Sequence, residues 1–318
     1  MTVEVGGAGS MGLAFEATLG TYVAPTVWVP IRSETLQYVS EPYYRMNLRG
    51  QAGRTGVLPG YSHVEGDIEF EVTADEVLRF LYASRMNPSK TGTGPYTYTF
   101  TPANVAKTST GAGASTRKTL SIHVKRGGEV FAYVGCAVGQ WTFSVDDSGV
   151  LVATVSIVGV NEASQAAASE SWPTSTPYGP GKVTVELPSS SARADAATAT
   201  LTINDNLVAA NRLNGTRFAA YCNWGERETT ASLEVDFDLR SIDYNPFQSG
   251  AIRTLKLVGE NNANSDSVTV LYNAVSVDAV PVNLAGLGEV NRYSLNMHGF
   301  YNTADEYTIT VKSNVNIT

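Results

Sequence analysis

Charge is scarce in this sequence. Of 318 residues only 16% are Asp, Glu, Lys or Arg, while 43% are hydrophobic. A disordered chain needs the opposite balance, so the composition points to a folded protein with a sizeable core. Subunits that bury surface against neighbours also carry few charges, because interface cores are depleted in them. Basic residues are scarcer still, 22 against 30 acidic ones, for a net charge of −8. A protein that grips nucleic acid through its phosphates carries a basic stripe, which is missing here. That argues against tight DNA binding and leaves open contact with DNA that must not stick.

Cysteine and histidine are equally sparse. Cys136 and Cys222 give no disulfide framework and no C-x-x-C spacing, and each lies in or beside an apolar or aromatic run, as buried thiols do. His63, His123 and His298 are isolated, without metal-ligand spacing. No apolar run reaches the roughly 18 residues of a membrane-spanning helix. The start, Met1-Thr2-Val3-Glu4, lacks the basic stretch and apolar core of a signal peptide. The expectation is a soluble product of the cytoplasm.

Catalytic patterns are also wanting. Gly7-Ala8-Gly9-Ser10-Met11-Gly12 matches G-x-G-x-x-G, yet Pro25 and Pro30 interrupt what should be a βαβ unit. Asp146 and Asp147 lie in a turn, and no Ser/His/Asp order or nucleophile elbow stands out. The reading is of a non-enzyme with no cofactor.

What the sequence does have is strand signal. Tyr96–Phe100, Leu120–Lys125, Val130–Val134, Trp141–Val145, Val150–Val158, Leu201–Ile203, Leu233–Phe237, Val268–Tyr272 and Tyr307–Val311 are rich in β-branched and aromatic residues. Most alternate with period two. Arg126-Gly127-Gly128-Glu129 and Asp146-Asp147-Ser148-Gly149 read as turns between them. One segment reads as helix: Thr73 and Glu76 form a capping box, and Val77, Leu78, Leu81 and Tyr82 recur at helical spacing. Asn87-Pro88 is the expected stop. Residues 103–118 and 163–180 read as loops.

The chain also resembles itself. Displaced by 165 residues, Leu48, Gly50, Glu69, Glu71 and Ser84 fall on Leu213, Gly215, Glu234, Asp236 and Ser249. Displaced by 140, Val150, Val155, Ile157 and Gly159 fall on Val290, Leu295, Met297 and Gly299. Two gap-free blocks in the same order predict an internal duplication. The expected fold is mostly β, with two related β-sandwich or tube-fold units that each carry a short helix. The divisions are an N-terminal arm (1–32), a first unit (33–162), a linker (163–181) and a second unit (182–318).

Each unit carries a long loop, at residues 42–63 and 205–225. The first holds Tyr43, Tyr44, Arg45, Arg49, Arg54 and Tyr61; the second holds Asn211, Arg212, Arg217, Tyr221 and Trp224. Tyr, Trp and Arg on extended loops have the composition of interfaces. After each loop comes an acidic strand. Glu65, Asp67, Glu69 and Glu71 alternate with apolar residues, and Glu226, Glu228, Glu234, Asp236 and Asp238 share one parity. Alternation puts each set on one face, where like charges repel one another. A solvated face is the ordinary reading; a wall that repels something anionic is the sharper one.

Further residues carry a resemblance. Gly127-Gly128-Glu129-Val130-Phe131-Ala132-Tyr133-Val134-Gly135-Cys136, Gln140-Trp141, Gly149-Val150-Leu151, Val158-Gly159 and Asn161-Glu162 resemble the tail tube proteins of long-tailed bacteriophages. Gly12-Leu13-Ala14-Phe15-Glu16-Ala17-Thr18-Leu19-Gly20-Thr21, Ala24-Pro25-Thr26 and Pro30-Ile31-Arg32-Ser33-Glu34-Thr35-Leu36 are similar to the start of that family. The resemblance is strongest over residues 12–162. It implies a virion subunit whose rings stack into a hollow tube that conducts the genome. The long loops would contact the next ring and the acidic strands would line the bore, with DNA passing unbound. The chain itself is then the main partner, with tape measure, tail terminator and distal tail proteins at the tube's inside and ends. One-unit members imply six-membered rings, so a two-unit chain builds a pseudo-sixfold ring from three copies. Six copies is the alternative, if the second half decorates the outside. The competing classes are a virion decoration or carbohydrate-binding β-sandwich module and a β-rich hydrolase.

Overall fold

The computed structural model describes residues 9–46, 53–54, 56–103, 118–188, 190–236, 240–262, 265–280 and 291–317. The first half comprises β1 (Ser10–Phe15), β2 (Val27–Val29), β3 (Ser33–Glu34), β4 (Gln37–Ser40), β5 (Tyr43–Arg45), β6 (Gly56–Leu58), β7 (Ser62–Glu71), α1 (Ala74–Tyr82), β8 (Met86–Thr91), β9 (Tyr96–Pro102), β10 (Leu120–Arg126), β11 (Glu129–Val145), β12 (Leu151–Gly159) and β13 (Asn161–Ser164). The second comprises β14 (Val183–Glu186), β15 (Ala196–Asn204), β16 (Leu207–Ala210), β17 (Tyr221–Trp224), β18 (Glu228–Asp236), α2 (Arg240–Gln248), β19 (Arg253–Asn262), β20 (Asp266–Ala279), β21 (Arg292–Gly299) and β22 (Tyr307–Ser313). The protein is mostly β, built from antiparallel sheets with two helices.

One long sheet organises the molecule. It runs β3/β4, β7, β12, the C-terminal part of β11, β15, β18, β21 and the C-terminal part of β20. Outer layers cover its inward face: β2, β1, β10, the N-terminal part of β11 and β13 in the first half. In the second half the layer is β14, β19, the N-terminal part of β20, β22, β9 and β8, the last two borrowed from the first half. The core between the layers is aromatic. Trp141 stacks on Phe143 at 5.1 Å and Phe70 on Phe80 at 5.2 Å, and the Trp141 Nε1–H donates to Ser84 Oγ at 2.8 Å.

The expected runs Val130–Val134 and Trp141–Val145 are one strand, β11, that passes from the outer layer to the long sheet. Gly135 makes the passage. Its φ is +65°, and a Cβ there would lie 2.6 Å from Val160 Cγ2, so only glycine fits. Helix α1 begins as expected, with Thr73 Oγ1 accepting from the Glu76 N–H at 3.3 Å. It ends at Tyr82 with Ala83 as its cap, earlier than the expected Asn87-Pro88 stop. Pro88 instead lies in β8, which among the described residues pairs with β9 alone, so a missing N–H is tolerated. Residues 1–32 include β1 and β2, whose Met11, Leu13, Trp28 and Val29 are buried core, rather than an arm alone. Residues 165–179 carry no regular structure and are mostly exposed, but Tyr178 is wholly buried, its hydroxyl donating to Asp266 at 2.5 Å.

The two halves share their strand registers. Glu69 pairs with Thr154, and at displacements of 165 and 140 Glu234 pairs with Ser294. Ser33 pairs with Glu69, and Thr198 with Glu234, again 165 residues on. Even the irregularities recur. The β11–β12 ladder slips between Val138 and Gln140, and the β20–β21 ladder between Val277 and Ala279. The β10–β11 ladder slips between Leu120 and Ile122, and the β19–β20 ladder between Arg253 and Leu255. Each half thus contributes four strands to the long sheet in the same order.

Candidate functional site: a polar sheet face and two arms

The uncovered face of the long sheet is set by alternation. Along β7 the residues Val64, Ile68 and Phe70 are fully buried, which leaves Glu65, Asp67, Glu69 and Glu71 on the opposite face. Along β18, Ala231, Leu233 and Val235 are buried, and Glu228, Glu234 and Asp236 take the other face. Registers carry both sets onto the same side of one sheet. At about 4.8 Å per strand the two acidic columns stand roughly 19 Å apart.

The strands between them carry hydroxyls. One row runs Ser33, Glu69, Thr154, Thr142, Thr202 and Thr230, each opposite the next. Another runs Glu71, Val152, Ser144, Thr200, Ser232 and Asn296. The sequence reading missed this lining, although the alternation Thr198-Ala199-Thr200-Leu201-Thr202 carried the signal. It also missed the cations that temper the acids. Arg32 lies 3.6 Å from Glu69 and 3.3 Å from Glu71, and Arg292 lies 2.9 Å from Asp236. His63 sits 3.3 Å from Glu65, and His298 sits against Glu228 and Asp278. The face thus carries carboxylates, hydroxyls and amides, with Arg32 and Arg292 paired to some of the acids. Asp238 lies outside the described residues, and Glu226 lies in the turn before β18.

The long loops form arms. β5 pairs with β6, and Tyr43, Tyr44, Val57 and Leu58 on this hairpin are all exposed, Tyr43 by 62%. Arg54 stacks over the Tyr44 ring at 4.7 Å, and Arg45 ends the strand, while Arg49 lies outside the described residues. The second arm is the β16–β17 hairpin and the loop between its strands. There Arg212 stacks on Tyr221 at 4.9 Å and Leu213 is almost fully exposed. Trp224 departs from the expectation of a surface residue. It is 4% exposed and packs with Ala137, Leu207 and Cys222, so it anchors the hairpin to the sheet. A tryptophan beside an apolar strand partner is drawn into that seam, which loop composition alone does not reveal.

The arms touch each other. The Ser62 N–H donates to the Arg217 carbonyl at 2.9 Å, and the Ala219 N–H donates to the Ser62 carbonyl at 3.0 Å. Between them lies a cleft of about 730 Å³ lined by Tyr43, Leu58, Tyr61, Thr216 and Arg217. The first half's aromatics and the second half's arginine therefore form one surface.

The family described as phage tail tube protein matches residues 6–296 of this β-rich chain. The chain belongs to the phage tail tube protein family. No curated protein matches it. As a tail tube protein it is a structural, non-enzymatic component of the virion tail. The match takes in the tail tube protein's second half as far as residue 296, so the weaker resemblance after residue 180 belongs to the same family signature.

Proposed function

We propose that this tail tube protein assembles head to tail into closed rings that stack into a tube, through which the genome leaves the virion. The polar face of the long sheet lines the bore, and the arms reach the adjacent ring. The observation that carries this reading is the repeated register: two four-strand blocks, joined in one continuous sheet, are two segments of a barrel wall. An internal duplication accounts for the shared registers and the shared bulges. Three copies then give a ring with six such blocks and pseudo-sixfold symmetry. The acidic columns and hydroxyl rows leave DNA free to slide, which suits a conduit. Tape measure, tail terminator and distal tail proteins are the partners this role requires inside the tube and at its ends, and synthesis takes place in the host cytoplasm.

Electron microscopy of the purified protein over a concentration series tests the reading. Hollow tubes of uniform width are expected, with end views showing six similar blocks and mass measurement giving three chains per ring. Protein that stays monomeric at every concentration, even with preformed tail ends added as initiators, would overturn it.

A further inference from the structure

Asparagine stands directly before glycine at a single place in this chain. Of all its asparagines only Asn214 is followed by glycine, Gly215. The pair lies in the second arm, in the loop between β16 and β17. Leu213 beside it is 98% exposed, and Asn214 and Gly215 are exposed as well. Displaced by 165 residues, the first half carries Arg49 before Gly50, so the chemistry of this pair belongs to the second arm alone.

The side-chain amide of Asn214 is held in one pose. Its Oδ1 accepts from the Thr216 N–H at 3.2 Å and from the Thr216 hydroxyl at 2.9 Å. The first of these bonds closes a turn whose ring contains both Asn214 Cγ and Gly215 N. An electrophilic carbon and a backbone nitrogen are thus kept within one tight loop, which favours reaction between them. Gly215 has a φ of +79° and open space where a Cβ would stand, so no side chain shields its nitrogen. Among the described residues no group accepts a hydrogen bond from the Gly215 N–H. Both Thr216 donors reach the oxygen on which negative charge collects when that nitrogen attacks.

We infer that Asn214 is a self-modification site, at which the subunit converts an amide to a carboxylate without an enzyme. The Gly215 nitrogen loses its proton to solvent and bonds to Asn214 Cγ, and the carbonyl oxygen becomes an oxyanion held by Thr216. As the oxyanion collapses, the Cγ–Nδ2 bond breaks, and the amide nitrogen takes up a proton and leaves as ammonia. The product is a cyclic imide. Water then adds to either imide carbonyl and breaks one C–N bond, which yields aspartate or isoaspartate at position 214. No oxidant or reductant takes part. Gly215, Thr216 and Arg217 line the cleft between the arms with Tyr43, Leu58 and Tyr61, so the new charge stands at the wall of that cleft. The isoaspartyl form also lengthens the main chain by a carbon ahead of the Arg217 carbonyl that holds Ser62.

Ageing of the purified full-length protein tests this. After incubation in warm, mildly alkaline buffer, peptide mass spectrometry is expected to show conversion at Asn214 ahead of every other asparagine. Labelling by an isoaspartyl methyltransferase should mark the same peptide. Asn214→Gln should abolish both signals at this position, because the longer side chain closes a ring far less readily. Thr216→Val removes the hydroxyl donor and should slow the conversion about threefold, the worth of one neutral hydrogen bond in water. Thr216→Ser keeps the donor and should convert at the wild-type rate. Circular dichroism of each variant should match the wild type, so that the rates report on the loop. Asn214 that stays intact while other asparagines react would overturn the inference. Conversion of Thr216→Val protein at the wild-type rate would overturn the part given to Thr216.

Discussion

Arg85, in the turn after α1, faces Asp205 of the second half at 3.8 Å, with both side chains less than a tenth exposed. Arg227 Nε donates to the same carboxylate oxygen at 2.7 Å, and Arg85 also donates to the Gly225 carbonyl at 2.8 Å. The carboxylate therefore ties the halves together from within. Removing one member of a buried ion group leaves uncompensated charge, at a cost of about 3–5 kcal/mol. Asp205→Ala is expected to lower unfolding stability by that amount in urea titrations of the monomer.

Glu76 gives the fold a pH dependence. Burial pushes its carboxyl up to about 7, against the ordinary 4.5. The folded state thus holds a proton that the unfolded chain releases, and the associated stability is full below pH 4.5 and lost as pH rises through 7. A shift of this size corresponds to roughly 3 kcal/mol. Glu76→Gln should remove that slope, so the variant gains on the wild type in denaturant titrations between pH 5 and pH 8. Equal slopes for the two proteins would refute the assignment.

Gly135 is expected to tolerate no side chain. An alanine there would adopt a left-handed conformation and press on Val160, and the backbone N–H that reaches Glu16 at 2.8 Å would shift. Gly135→Ala should cost about 2–4 kcal/mol. Thermal unfolding of the purified variant checks this.

The proposed bore can be probed without disturbing ion pairs. Asp67 and Thr202 lie on the polar face, away from the contacts of Arg32 and Arg292. Lysine at both positions should leave tubes intact and slow genome ejection, with the slowing relieved by salt as counterions compete for phosphate. Ejection at the wild-type rate in low salt would sink the lumen assignment.

The arms should act on stacking alone. Tyr43→Ala and Leu58→Ala change exposed side chains, so monomer stability should move by less than about 0.5 kcal/mol. Tube length in micrographs should fall sharply while ring counts hold. Unchanged tubes would show that the hairpin does not carry the inter-ring contact.

Much of this architecture was legible in the chain. The alternation of Glu65, Asp67, Glu69 and Glu71 with buried neighbours fixes which face is wet, because a strand's side chains change sides at every residue. The capping pair Thr73 and Glu76 fixes the start of α1, because the contact is local. The 165-residue displacement was visible as well, since matching alternation leaves matching letters. Other features were hidden. Nothing local shows that Arg32 meets Glu69 and Glu71, which lie far along the chain, or that Trp224 turns inward against Leu207.

The sequence alone determined the main strand runs and their polar and apolar faces, which follow from side-chain pattern within a few residues. Tertiary structure decided which strand edges meet. Backbone N–H and C=O groups are the same in every residue but proline, so the edge of β15 carries no letter that names β11 as its partner. That choice comes from how the two layers pack around their aromatic core, and among the described residues β4 pairs with β7 alone and the end of β20 with β21 alone.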